Sequence, residues 1–238
     1  MENIFTDEDL KRYFKQHLIY YNPEDEDFIK QRDYGATNPL YKWPNRTILY
    51  CCMSDPFESG KYENTTVHHA EIRLLKNLLS QFEAEKTNKM LATLDLSDAS
   101  TGSEDDVQEL YDKDAEVTIS ITQNYSPCRF CAKEIIEFIK YCKVEYKYEI
   151  KMFISFGTFY NFDVNKEGLV SLLVAGVDLY LIEDDLRNKI KDLVKNELNN
   201  DWELFEYFFE CFSKREKWDQ QYMEEIQEKA WIKKNENI

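Results

Sequence analysis

An α/β domain, with helices packed on a largely parallel sheet, is what this sequence predicts, and two features carry the expectation. From Val117 to Ile182 apolar strand-like runs alternate with amphipathic helical stretches in the order strand, helix, strand, helix, strand, which is the pattern of helices crossing over a parallel sheet. The chain of 238 residues, 43% hydrophobic and 15% aromatic, is also long and apolar enough to bury one substantial core. Residues 1–238 are therefore read as a single domain.

In chain order, a short amphipathic helix is expected around Leu10–Leu18, then the acidic turn "NPEDED" and a strand at Thr47–Cys52, "TILYCC". In "HHAEIRLLKNLLSQF" the residues Ile72, Leu75, Leu78 and Leu79 recur at helical spacing, placing His69 and Glu71 in the first turn of a helix. Segment 83–116 is polar, has "DASTGSEDD" at its centre, and reads as an insertion, partly helical at each end and mobile in the middle. "VTISIT" at 117–122 alternates strictly and is a strand. The turn "QNYSPC" leads into a helix with Cys131, Ile135, Phe138 and Cys142 on one stripe. Strand "KMFISF" (151–156), loop "GTFYNFDVNKEG", helix "LVSLLVAG" and strand "VDLYLI" (177–182) follow. Everything from Glu183 reads helical, with an aromatic helix "DWELFEYFFECF" and a charged terminal helix near "QQYMEEIQEKAW".

The net charge is −16, unfavourable on its face for a partner built of phosphates. Its distribution qualifies that. Segment 83–116 holds eleven acids against three lysines, whereas 63–82 and 117–182 are each neutral. No stretch reaches the roughly 18 apolar residues of a membrane span, and "MENIFTDEDLKRYFKQ" does not read as a signal peptide. The expected compartment is the cytosol or nucleus, where the six cysteines suit metal ligation or burial better than disulfides.

Two of them stand in "SPCRFCAKE". Cys128 and Cys131, three apart at a helix start, can aim both sulfurs at one point, and a helix N-terminus favours thiolates. With the His69 imidazole they make three ligands and leave a tetrahedral metal its fourth position, the pattern of a catalytic rather than a structural zinc. There a bound water has its pKa lowered to about 7, and Glu71 stands close enough to handle its proton without being a ligand. The alternative is plain: two small core thiols and a helix-terminal histidine. His68 is assigned no ligand role.

His69, Glu71, Pro127, Cys128 and Cys131 together form the H-x-E…P-C-x-x-C arrangement of zinc-dependent nucleobase deaminases. "NYSPCRFCAKEIIEFI" and "FYNFDVNKEGLVSLLVAGVDLYLI" resemble more specifically the AID/APOBEC family of polynucleotide cytidine deaminases, and "NRTILYCC" resembles that family's first strand. The likeness covers about residues 40–82 and 117–220. It implies a three-layer α/β/α cytidine-deaminase-like fold, with a five-stranded mixed sheet between helices and extra C-terminal helices. It also implies zinc held by His69, Cys128 and Cys131, hydroxide attack on C4 of cytosine with Glu71 as proton shuttle, and single-stranded DNA or RNA as partner. By the same resemblance Thr47, Asn64, Ala70, Tyr125, Ser126 and Tyr160 belong to the substrate pocket, with Tyr160 beside the flipped base.

Departures bear on the substrate. The separation of Glu71 from Pro127 exceeds the family's because of segment 83–116, and Thr158 stands where the family has arginine. Arg46, Lys61, Arg129, Lys133 and Lys166 remain as cations that can meet phosphate. Competing expectations are a deaminase of free cytidine nucleosides or nucleotides, and a catalytically idle binding protein whose acidic insertion docks a basic partner.

Overall fold

The computed structural model describes residues 6, 7, 10, 47–97, 115–197 and 202–236. Five strands, β1 (Ile48–Met53), β2 (Gly60–Glu63), β3 (Ala115–Tyr125), β4 (Tyr148–Thr158) and β5 (Asp178–Leu181), form one mixed sheet in the order β2-β1-β3-β4-β5. β1 is antiparallel to both of its neighbours; β3, β4 and β5 are parallel. The helices are α1 (Ala70–Ser97), α2 (Arg129–Glu145), α3 (Phe162–Val174), α4 (Asp184–Glu197) and α5 (Trp202–Glu236). The expected α/β class with a five-stranded mixed sheet is what the chain adopts, and five helices around it are compatible with three layers.

Alternation builds the sheet as expected. Val117, Ile119 and Ile121 point into the core with Met152, Ile154 and Phe156 of β4 and Leu49 and Cys51 of β1. Against that face lie Leu74, Leu78 and Phe82 of α1, Ala132, Ile135, Phe138 and Cys142 of α2, Leu169 and Leu172 of α3, and Met223 and Ile226 of α5. The stripe expected on α2 is buried residue for residue. Elsewhere Leu10 and Ile190 are fully buried, and Asp7 pairs with Lys189 at 2.7 Å, fastening the start of the chain to α4.

Four boundaries differ from expectation. β2, "GKYE", was not anticipated: it is a four-residue edge strand of half-buried and exposed residues, and short charged edges carry little apolar alternation. α3 starts at Phe162 because Asn161 takes a left-handed conformation (φ 42°) that ends the preceding turn, so most of the expected loop is helix. The aromatic and terminal helices are one continuous helix, α5, of 35 residues; its side chains from 202 to 215 lie outside the described residues.

The fourth difference is at the far end of the insertion, which is strand where helix was expected at both ends. α1 continues through its first part to Ser97, and β3 already starts at Ala115. The extension is packed: Lys86 pairs with Glu145 at 2.7 Å and Glu83 accepts from the Tyr146 hydroxyl at 3.1 Å. The ammonium of Lys89 stands 5.6 Å from the Tyr148 ring centroid. Residues 98–114, where the mobile middle was expected, and most of the helix expected at Leu10–Leu18 lie outside the described residues.

Two glycines set the position of α2. Gly176, at φ 90°, ends α3: its N–H reaches Leu173 O and that of Val177 reaches Leu172 O, a helix stop that glycine adopts without strain. Gly168 lets α3 lie directly on the start of α2, where a Cβ would stand 2.9 Å from the Arg129 Cα and 3.2 Å from the Ala132 Cβ. Because the first obstacle is backbone, Gly168→Ala should push the helices apart and cost about 1–3 kcal/mol, measured as a lowered denaturant midpoint with an unchanged slope.

Candidate metal centre

β3 and β4 end, and β1 begins, at the same edge of the sheet. Ligand sites of α/β sheets form outside the carboxyl ends of parallel strands. Here the β3–α2 turn and the start of α1 meet at that edge. Cys128 is the N-cap of α2, in extended backbone (φ −74°, ψ 165°), and its sulfur accepts the Cys131 N–H at 3.4 Å. It thus does with sulfur what serine does with oxygen at most helix starts. No acid occupies the first turn of α2. The start of α1 is tied down separately: the Asn64 Oδ1 accepts the Ala70 N–H at 2.7 Å, while His69 O receives the Arg73 N–H.

Those two helix starts bring His69, Cys128 and Cys131 together with ligand atoms all within 4.8 Å of one another. The His69 Nδ1 lies 3.2 Å from the Cys131 sulfur and 3.5 Å from that of Cys128. An ion bound tetrahedrally at zinc's usual Zn–N and Zn–S lengths sets nitrogen–sulfur separations of about 3.6 Å. The donors therefore need shifts of only tenths of an ångström, and the group can hold a metal ion. Its three members grade from exposed His69 through half-buried Cys128 to buried Cys131, so the cluster opens to solvent on the histidine side.

Charge at the cluster is uneven. The Cys131 thiol donates a hydrogen bond that, with the N–H groups of Cys131 and Phe130 and the nearby His69, holds the Cys128 thiol down at about 5. Cys131 is pushed up by that same bond, by burial and by the Glu71 charge. The two sulfurs are thus pushed in opposite directions by the bond between them. Glu71, 4% exposed, has its carboxyl raised chiefly by burial, with the Cys128 charge adding, and its Oε2 has no hydrogen-bond partner. An unpartnered carboxylate oxygen in a dry site is costly unless something polar completes it. A water or another polar group at the cluster would do so.

The remaining expected residues divide by exposure. Tyr160 is 49% exposed and packs edge-to-face on the buried Tyr125, centroids 5.5 Å apart. Ser126 is buried, giving its N–H to Thr158 O and accepting the Tyr160 N–H on Oγ at 2.9 Å. Ala70 is fully buried and its N–H is taken by Asn64, whose own N–H bonds Thr47 O. Ala70, Tyr125 and Ser126 thus stand behind the accessible surface, and Tyr160 and His69 form it. His68 turns to Lys76, Nε2 to Nζ 3.0 Å, outside the cluster. Among the cations, Lys61 pairs with Glu63, Lys133 with Glu137 and Lys166 with Glu225; Arg129 is exposed, and Arg46 lies outside the described residues.

Sequence reasoning missed Asn165. It is 4% exposed; its Oδ1 accepts the Arg129 N–H at 2.8 Å and its Nδ2 donates to Tyr160 O at 2.7 Å. It joins the ligand-bearing helix start to the Tyr160 loop. A buried asparagine four residues after a left-handed asparagine carries no motif, so only the fold reveals it. Asn124 is similar: fully buried, it accepts the Ile48 N–H at 3.0 Å and sets where β1 begins.

The five described cysteines are free thiols, and no helix among the described residues is long and apolar enough to cross a membrane. No family model matches the chain, and no curated protein matches it.

Because the thiolate, not the thiol, reacts with alkylating agents, metal-free protein treated with iodoacetamide at neutral pH should be modified first at Cys128. Cys51 and Cys142, raised by burial to about 12, should lag. Peptide mapping should show the Cys128 rate already on its plateau by pH 7, and suppressed by equimolar zinc.

Proposed function

We propose that the chain is a zinc-dependent deaminase that converts cytosine to uracil in single-stranded DNA or RNA. The observation that carries this reading is the position of Glu71, buried and with an oxygen unpartnered, beside a three-donor His69–Cys128–Cys131 group. Zinc suits two thiolates and an imidazole, and in a three-ligand site it supplies a water acidified to a pKa near 7.

The chain's own groups do the rest. Glu71, raised by burial, can take a proton from the attacking water, give it to N3 of cytosine and pass a second to the departing amine. C4 exchanges its amino nitrogen for oxygen, and ammonia leaves. A carboxyl tuned towards neutrality serves both directions of transfer. Tyr160 offers a half-exposed ring braced by Tyr125, fitted to stack on a base; such stacking contributes about 1–3 kcal/mol and needs no complementary strand. A base inside a duplex cannot reach a group recessed at a sheet edge without leaving the stack.

One observation favours a second reading, deamination of free cytidine or its nucleotides. Lys61, Lys133 and Lys166 each pair with a carboxylate, which leaves Arg129, of those cations among the described residues, to meet phosphate near the cluster. A monomeric substrate asks for less.

The two readings separate on supply of a single-stranded oligonucleotide, its duplex, cytidine and dCMP to the purified protein. Uracil in the single strand alone is expected; conversion of monomers alone selects the second reading, and no conversion by zinc-loaded protein rejects both. Glu71→Ala should keep one zinc per chain by elemental analysis while turnover falls by about 10²–10⁴-fold.

A further inference from the structure

We infer that Asp219, on the last helix, is a positioning residue for the Tyr160 loop, and that α5 thereby belongs to the substrate-binding apparatus. The inference takes its substrate from the function proposed above; its geometry stands alone. Asp219 is fully buried. Its two carboxylate oxygens accept from the Thr158 hydroxyl at 3.2 and 3.1 Å, and Oδ1 also accepts the Phe159 N–H at 3.4 Å. Thr158 and Phe159 are the two residues before Tyr160.

The loop is thus gripped from two sides. On the metal side Ser126 bonds the N–H of Tyr160 and Asn165 its carbonyl, and the Ser126 N–H is held by Thr158 O. Those contacts tie the loop to the cysteine turn. On the far side Asp219 reaches the loop with a charged side chain. Its neighbours on α5 dock against the same segment: Tyr222 stacks on Phe162, centroids 3.9 Å apart and planes 11° apart, and meets Phe159 edge-on at 5.7 Å. Lys166 and Glu167 of α3 pair with Glu225 and Lys233 of α5.

A carboxylate removed from water is an expensive way to fill space, and an apolar residue would pack α5 as well. What a carboxylate adds is direction: several acceptor positions that hold a hydroxyl and an amide in one geometry. Thr158 supplies the matching hydroxyl. Tyr160 would contact substrate equally before and during reaction, so loosening its loop should weaken binding rather than slow chemistry.

The test uses zinc-loaded full-length protein and two readouts, amide exchange of the 158–161 segment by mass spectrometry and steady-state kinetics on a single-stranded cytosine oligonucleotide. In Asp219→Ala, exchange at Phe159 and Tyr160 should rise on the order of tenfold while the β3 and α2 amides keep their protection. KM should rise several-fold with kcat nearly unchanged, and zinc should stay at one per chain. Asp219→Asn, which keeps an acceptor, should return both readouts towards the wild type. Should Asp219→Ala not fold, Thr158→Val removes only the hydroxyl half and should show the same pattern more weakly. Unchanged exchange at Phe159 and Tyr160, a uniform rise across the protein, or a fall in kcat at constant KM would overturn the role of Asp219. If neither wild type nor variants convert any cytosine substrate, the proposed function fails and amide exchange alone decides the inference.

Discussion

Everything at the candidate centre depends on two helices starting side by side at one edge of the sheet. α1 begins after the β1–β2 hairpin and α2 directly after β3, and the antiparallel pairing of β1 with β3 puts both starts at that edge. Helix starts leave N–H groups without partners and carry partial positive charge. Here these groups meet a thiolate cap, Cys128, and a first-turn acid, Glu71. The same helix start that is capped by the Cys128 sulfur therefore also favours the charged form of a sulfur that can hold a cation.

Around that constraint the packing is layered by stiffness. Gly168 permits α3 to touch the α2 backbone, Asn165 and Ser126 lace the Tyr160 loop to the cysteine turn, and the aromatic cluster of Phe156, Phe159, Phe162 and Tyr222 seats α5 behind it. Sites held by buried hydrogen bonds keep their geometry within narrow limits. At the cluster itself exposure rises at His69 and Tyr160, where a ligand would arrive.

Much of this was legible in the sequence. Strict alternation at 117–122 and the stripe Cys131, Ile135, Phe138, Cys142 announced β3 and α2, because period two and period 3.6 are direct images of burial. The convergence of His69 with Cys128 and Cys131 was legible from the H-x-E…P-C-x-x-C motif; the structure sets His69 just before α1 and Cys128 at the N-cap of α2. Illegible were features made by tertiary contacts. β2 is too short and polar to show a period, the far end of the insertion is strand because it pairs with β4 from Ala115 onward, and Asn165 and Asp219 act through partners 36 and 60 or 61 residues away. A polar residue that serves a distant partner looks in sequence like any surface residue.

The length of α1 changes how the acidity of the chain should be weighed. Its 28 residues span about 42 Å at 1.5 Å per residue, and β3 leads back over 11 residues, about 36 Å at 3.3 Å each. Ser97, where α1 ends, and Ala115, where β3 begins, therefore both lie far from His69. In physiological salt a surface charge is screened within about 8 Å. The segments that build the cluster, 63–82 and 117–182, are each neutral, so the overall charge of −16 overstates the charge close to His69.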